Sequence, residues 1–171
     1  MAGITGIIAL KPDGLIKDTS VFERMTAGIK AEAAQEHNCF HDNNIFVSVV
    51  SQKRSNPESS FYHDQEHGVI CVLDGFCFLD EQTAARLAKD ESVPKGSSTL
   101  TKIVHLYLKQ GEEVFKSLRG SFNLLIYDIN KRKSVLGNDR FGFYPMYYAQ
   151  GAEYLIFSSK LSSIVDSGLI Q

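Results

Sequence analysis

The sequence predicts an α+β fold with largely antiparallel sheets. Strand-like segments cluster towards both ends of the chain, and most helix-like segments lie between them. Strands and helices that occur in separate runs favour this class over the alternating strand-helix-strand units of a parallel sheet. The 171 residues are 43% hydrophobic and 22% charged, which is enough apolar material for one packed core. We therefore expect a single domain over residues 1–171.

The chain begins with a strand and a helix. Residues 3–10 (GITGIIAL) are short, apolar and rich in isoleucine, and a turn sequence follows them, which predicts a buried strand. Apolar side chains at helical spacing predict a helix from Asp18 to about His37, with Asp18 or Thr19 as its cap.

Two further strands are predicted before the middle of the chain. Residues 45–50 (IFVSVV) are dense in β-branched side chains without a helical stripe. Residues 68–73 (GVICVL) have the composition of a buried strand, which we expect to end at the turn dipeptide Asp74-Gly75. The polar segment 51–67 predicts a loop with room for one more strand.

The second half of the chain supplies most of the helices and the remaining strands. Residues 99–109 place their apolar side chains on one helical face, and Ser97 or Ser98 is positioned to cap that helix. The other predicted elements are a helix at 81–89, a helical turn at 112–118, strands at 121–127, 134–137, 146–149 and 154–157, and a closing helix at 160–165.

Charge and hydropathy exclude two classes of partner. Lys and Arg total 18 and Asp and Glu total 20, so the net charge of −2 provides no basic field for a nucleic-acid backbone. The apolar run 7–10 is far shorter than the roughly 20 residues of a membrane-spanning helix. No charged segment precedes it, as one would in a signal peptide. We expect neither nucleic acid nor a membrane as partner.

The cysteines predict a reducing environment. Cys39, Cys71 and Cys77 are an odd number without a C-x-x-C pair, which argues against a disulfide framework and favours the cytoplasm. Cys71 and Cys77 lie in apolar strand sequence. Such surroundings raise the pKa of a thiol, so we expect both to be buried and unreactive.

Patterns that mark metal, nucleotide or serine-hydrolase sites are weak or missing. His37 and His41 have the spacing that places two imidazoles on one helix face, as do His63 and His67. The second pair lies in polar loop sequence, and a zinc site needs three or four ligands. The phosphate-binding and nucleophile-elbow patterns do not occur in the sequence. We predict no metal and no cofactor.

Three segments gain weight when they are taken together. They are residues 1–6 (MAGITG), the dipeptide Asp74-Gly75, and residues 138–148 (NDRFGFYPMYY). Each alone has an ordinary structural explanation: an edge strand, a turn, and an aromatic-rich loop with a local ion pair. We expect Tyr147 and Tyr148 to fill the core, although a supporting role at a site stays open.

Together these segments resemble a class II glutamine amidotransferase domain, the N-terminal domain of asparagine synthetase and its relatives. Residues 1–6 resemble the family's M-C-G-I-x-G. Residues 118–128 (LRGSFNLLIYD) resemble its L-x-G-x-F-A-F-x-I-Y-D, and residues 139–148 resemble its D-R-x-G-x-x-P-L-Y-Y. The match runs nearly end to end. It implies the N-terminal nucleophile hydrolase fold, a four-layer αββα sandwich of two mainly antiparallel sheets.

The resemblance implies a catalytic site from which this chain departs. In the family the initiator methionine is removed, and the exposed cysteine attacks the glutamine amide with its own α-amine as base. That position is Ala2 here, and a methyl group has no lone pair for this attack. The oxyanion-hole asparagine and glycine correspond to Asp74 and Gly75. A carboxylate would repel a developing oxyanion rather than stabilise it.

The substrate-pocket positions depart as well. The family's glutamate after that glycine corresponds to Phe76, and its acidic residue near the start of the long middle helix corresponds to Ser97 and Ser98. The arginine that binds the glutamine carboxylate is expected in the strand at 45–50, which contains none, and Arg54 beyond it is a loose candidate. We therefore expect no glutaminase chemistry from this chain.

These departures predict a catalytically silent amidotransferase-like domain, a structural or regulatory part of an asparagine-synthetase-like, ATP-dependent amide-forming system. Its predicted partner is an ATP-dependent synthetase domain or subunit. Two alternatives stay open: a glutamine-hydrolysing domain whose cysteine has been replaced by Ala2, and a module that binds glutamine, a related small molecule or a peptide in the old pocket. A homodimer also stays open.

Overall fold

Two antiparallel sheets and their helices make up the part of the chain that the computed structural model describes, which is residues 3–11, 19–30, 35–52 and 60–170. The elements, in chain order, are β1 (Gly3–Ala9), α1 (Ser20–Ile29), β2 (Gln35–His41), β3 (Ile45–Gln52), β4 (Phe61–Asp64), β5 (Val69–Leu79), α2 (Glu81–Ala88), α3 (Thr99–Gln110), a 3₁₀ helix (Gly111–Ser117), β6 (Leu118–Asp128), β7 (Lys133–Asn138), β8 (Tyr147–Gln150), β9 (Tyr154–Ser158) and α4 (Leu161–Asp166).

The first sheet belongs to a compact unit formed by residues 1–57 and 144–171. Its strand order is β2-β3-β1-β9-β8. Strand β1 lies at the centre and pairs antiparallel with β3 on one side and β9 on the other. Met25 of α1 and Ile7 of β1 are fully buried in its core, where Phe22 stacks on Phe46 with ring centroids 4.1 Å apart.

The second sheet belongs to a compact unit formed by residues 58–143, with the order β4-β5-β6-β7. Strands β5 and β6 are 11 residues long and pair along their whole length. Helix α3 buries Leu100, Ile103 and Tyr107 in the same apolar cluster as Leu73 and Leu124 of the central strands. The predicted α+β class with two antiparallel sheets is confirmed.

The first helix is shorter than predicted. Helix α1 ends at Ile29, and Lys30 already has an extended backbone. Residues 35–41, the end of the predicted helix included, form strand β2, which pairs with β3. A strand at this position provides hydrogen-bond partners for the backbone N–H and C=O groups along the outer edge of β3. The spacing of apolar residues in the sequence does not report this requirement.

The prediction that a strand ends at Asp74-Gly75 is wrong, because β5 continues to Leu79 and stays paired with β6. Gly75 has a φ of +106°, and a Cβ there would lie 2.4 Å from the Ser121 carbonyl oxygen. Gly120 on β6 has a φ of +124°, and a Cβ there would lie 2.2 Å from the Phe76 carbonyl oxygen. Each glycine therefore admits a close approach of the opposite strand and a bend that side chains would block.

Tyr147 and Tyr148 lie in the edge strand β8, and the prediction that they fill the core is wrong. Their side chains are 42% and 70% exposed. Only β9 flanks β8 within the described part of the sheet, so apolar side chains on this strand have fewer neighbours to pack against. The predicted room for a strand in 51–67 is filled by β4.

Side-chain caps begin two of the helices. The Asp80 carboxylate accepts a hydrogen bond of 2.8 Å from the Thr83 N–H at the start of α2, which lowers the pKa of that carboxyl. Ser98 Oγ accepts one of 3.1 Å from the Thr101 N–H at the start of α3. Thr19 precedes α1 without a side-chain cap. Among the described helices, none is long and apolar enough to cross a membrane.

We predict that Asp80→Ala lowers the free energy of unfolding by about 1 kcal/mol, because a helix N–H loses its acceptor. Asp80→Asn should retain most of the stability, since asparagine caps helices as well as aspartate does. Urea denaturation followed by circular dichroism measures both. Equal losses in the two variants would contradict a capping role.

Candidate functional site

Predicted site residues lie on the central strand of the second sheet and before helix α3. Asp74, Gly75 and Phe76 follow one another in β5, and Ser98 is the residue before α3. The site is therefore organised by the β5–β6 pairing and by the start of one helix.

Two of the predicted positions, Ala2 and Arg54, lie outside the described residues. Strand β3, where the family's arginine is expected, reads IFVSVVSQ and contains no arginine.

Asp74 is a buried carboxylate with one amide beside it. Asp74 is 2% exposed, and its cross-strand partner on β6 is the fully buried Asn123. Asn123 Nδ2 donates a hydrogen bond of 3.4 Å to Asp74 Oδ2. Burial raises the pKa of the Asp74 carboxyl to about 6, and the bond from Asn123 partly offsets this rise. At neutral pH Asp74, which the family resemblance aligns with the oxyanion hole, therefore carries a negative charge.

Asn123 is the site residue that sequence reasoning missed. It stands at the alanine of the family pattern L-x-G-x-F-A-F, between the apolar residues Phe122 and Leu124. Its partner on the other side is Asn138 of β7, so Asp74, Asn123 and Asn138 form one row across three strands. A single amide next to the apolar run 124–126 was the available signal, because buried polar side chains need hydrogen-bond partners.

Phe76, which the family resemblance aligns with a glutamate, has an exposed apolar ring. It is 58% exposed, and its ring centroid lies 5.7 Å from that of Phe78, which is also exposed. A phenyl ring cannot form an ion pair with a substrate amine through a carboxylate.

The two serines are engaged locally. Ser97 Oγ donates to the Pro94 carbonyl over 2.6 Å. Ser98 Oγ caps α3 and lies 2.9 Å from Thr101 Oγ1. Their hydroxyls hold the segment before α3 and its first turn, which is the work of turn and cap residues.

The loop in segment 138–148 is hydrogen-bonded to the same sheet through Asp139. The Asp139 N–H donates to the Phe122 carbonyl over 2.9 Å, opposite Gly75 in the ladder. Its carboxylate accepts the N–H groups of Phe141 and Phe143 over 3.0 and 3.4 Å. Asp139 is 5% exposed, whereas the two phenylalanines are 78% and 72% exposed. This aspartate therefore shapes the loop that follows β7.

The histidine pairs are dispersed over strands and a turn. His37 and His41 both lie in strand β2, not on a helix. His63 lies in β4, and His67 Nδ1 lies 3.0 Å from Asp64 Oδ2. Over the described ranges, no three His, Cys, Asp or Glu side chains are grouped so as to hold a metal ion.

Cys71 and Cys77 are buried in the second unit, as predicted, whereas Cys39 is exposed. Burial raises the pKa of both buried thiols, that of Cys77 to about 12. Neither thiol is ionised at neutral pH, so neither has the character of a nucleophile.

The chain is similar in sequence to a known protein family and to several characterised proteins. Residues 47–166 match the glutamine amidotransferase domain family. An asparagine synthetase (glutamine-hydrolysing) of Bacillus subtilis is 39% identical over 59% of this chain, which covers 13% of that protein. An amidase of Gibberella zeae is 29% identical over 63% of this chain, which covers 16% of it. The chain thus spans about a seventh of the length of these relatives.

A solved structure shares the fold at low sequence identity. The glutamine phosphoribosylpyrophosphate amidotransferase of B. subtilis, solved with ADP and GMP, superposes with a TM-score of 0.64 at 13% identity. The match covers 97% of this chain and 43% of that one. It supports the N-terminal nucleophile hydrolase fold that the motifs implied.

We predict that Asp74→Asn stabilises the protein above pH 6. The folded carboxyl binds its proton more tightly than the unfolded one, so wild-type stability falls as pH rises from about 4 to about 6. Two pKa units correspond to about 3 kcal/mol at most. Asparagine does not titrate, so the advantage of the variant should grow over this range.

Urea denaturation at pH 4.5 and 7.5 measures that advantage, with Asp166→Asn on an exposed part of α4 as the control for loss of one charge. An advantage of Asp74→Asn that is equal at both pH values would contradict a raised pKa of Asp74.

We further predict that one thiol of three reacts with Ellman's reagent in the native protein at pH 8. Cys39 is accessible, whereas Cys71 and Cys77 are buried and un-ionised. Cys39→Ser should abolish the native signal, and all remaining thiols should react after unfolding. Fast reaction of the Cys39→Ser variant would contradict burial of the other two.

Proposed function

Because the chain belongs to the glutamine amidotransferase domain family, we propose that it is a catalytically silent member of that family. In this proposal it serves as a structural or regulatory part of an asparagine-synthetase-like, ATP-dependent amide-forming system. The observation that carries the proposal is the buried Asp74 carboxylate at the oxyanion-hole position.

Glutamine hydrolysis by this fold needs a nucleophile and a donor for the developing oxyanion. Ala2 provides no nucleophile. Asp74 is 2% exposed and its pKa is about 6, so above that pH it presents an acceptor where a donor is needed. Restoring the nucleophile alone would therefore leave the transition state unstabilised.

Glutamine recognition is weakened independently of that chemistry. An α-amino acid needs a carboxylate for its amine and a cation for its carboxylate. Phe76 supplies an exposed ring, Ser98 is committed to capping α3, and β3 has no arginine. Loss of several groups that serve one ligand favours degeneration of the whole site over a single substitution.

The proposed synthetase partner is inferred from the asparagine synthetases that this chain resembles. The Bacillus protein is a glutamine-hydrolysing asparagine synthetase, and this chain covers 13% of it. A domain that has lost its own chemistry but keeps the family's strand and loop motifs is consistent with selection for the fold itself. We infer that an ATP-dependent synthetase domain or subunit is the partner that uses this fold.

We predict that neither Ala2→Cys nor Ala2→Cys with Asp74→Asn releases ammonia from glutamine above background, because the glutamine-binding groups are missing as well. Ammonia is measured by a coupled dehydrogenase assay, and circular dichroism confirms that the variants are folded. The B. subtilis asparagine synthetase is the positive control. Glutamine should not raise the melting temperature of the wild-type chain.

Ammonia release by either variant would contradict this prediction. Activity in Ala2→Cys alone would overturn the proposal and favour a glutamine hydrolase in which Ala2 is the sole obstacle. Activity only in the double variant would identify Asp74 as the second obstacle and contradict the loss of glutamine binding.

A further inference from the structure

A groove in the second unit has an apolar floor. It lies between α2, the segment that connects α2 to α3, and the first turn of α3, and its volume is about 510 Å³. Phe78 of β5, Leu87 and Ala88 of α2, and Val93 and Pro94 of the connecting segment line it. Phe78 is 47% exposed, so the groove leaves a large ring in contact with solvent. Exposed apolar concavities of this kind mark binding surfaces.

The charge of the groove has one sign. Lys95 and Lys102 line it, and none of its lining residues is acidic. Neither lysine forms an ion pair with another residue in the described part of the chain. Two ammonium groups beside an apolar floor favour an occupant that carries both carboxylates and apolar side chains.

The wall of the groove is held in place. Asp90, near the start of the connecting segment, accepts hydrogen bonds from Lys109 Nζ over 2.6 Å and from the Ser92 N–H over 3.0 Å. His105 Nε2 lies 3.3 Å from the same carboxylate. These bonds attach the connecting segment to α3. The groove is therefore formed before an occupant binds, and little conformational entropy is lost on binding.

The apolar surface continues beyond the groove. Phe76 lies two residues before Phe78 in β5, is 58% exposed and contacts the Phe78 ring. An occupant that covers both rings and pairs with both lysines must present several apolar groups and more than one carboxylate. A peptide segment satisfies this requirement with successive side chains.

We propose that this groove binds a segment of a partner protein in which apolar side chains are interspersed with Asp or Glu. The apolar side chains cover the floor and Phe78, and the carboxylates pair with Lys95 and Lys102. The inference does not depend on glutamine chemistry, and it holds whether or not the domain is silent.

The test uses a random dodecapeptide library displayed on phage and selected on the purified 171-residue chain. We expect enriched peptides to combine acidic and apolar residues. The best of them, labelled with fluorescein, is then titrated by fluorescence anisotropy. Lys95→Glu with Lys102→Glu should weaken its binding roughly tenfold or more, because two attractions become repulsions.

The matched control is Lys11→Glu with Lys116→Glu, which changes the net charge equally at exposed positions outside the groove. It should leave binding nearly unchanged. Ala84→Trp adds bulk to the groove from the exposed face of α2 and should also weaken binding, while circular dichroism reports that the fold is retained.

Three results of the selection and of the variant titrations would overturn the proposal. They are no enrichment of any peptide, enrichment of neutral or basic peptides, and equal weakening by the control and the groove variants. Displacement of the peptide by decanoate at comparable affinity would also overturn it, in favour of a small amphiphilic carboxylate as occupant.

Discussion

The pairing of β5 with β6 is the interaction on which the second unit depends. Eleven residues on each strand face one another in an unbroken register from Val69 with Asp128 to Leu79 with Leu118. Gly75 and Gly120 allow this register to continue through a bend where any side chain would meet the opposite backbone. One face of the ladder carries the cluster that buries α3, and β6 also holds β7 and the loop that Asp139 shapes.

The same ladder determines the surroundings of Asp74, which is the proposed oxyanion-hole position. Register places Asp74 directly opposite Asn123, so the aspartate that replaces a family asparagine meets an amide where the family has alanine. In this pair the Asn123 amide donates a hydrogen bond to the Asp74 carboxylate. Burial of the Asp74 carboxylate raises its pKa and costs stability at neutral pH.

The family motifs that this chain retains have structural roles. Asp139 binds the backbone of the loop after β7, and residues 118–128 form β6, one of the two inner strands of the second sheet. In the function proposed above, the positions that changed, Ala2, Asp74 and Phe76, are those that would touch a substrate. Core packing and site chemistry are separate demands, so a chain can satisfy the first while it abandons the second.

Sequence alone determined the class of fold, most element positions, the family motifs and the burial of Cys71 and Cys77, because periodicity and local turn chemistry report on nearest neighbours. Tertiary structure decided what depends on partners distant in the chain. It extended β5 through Asp74-Gly75, turned residues 35–41 into a strand beside β3, and left Tyr148 exposed on an edge. Asn123 joins the candidate site only through its register with Asp74. Cross-strand pairing is a long-range contact, and no local pattern encodes it.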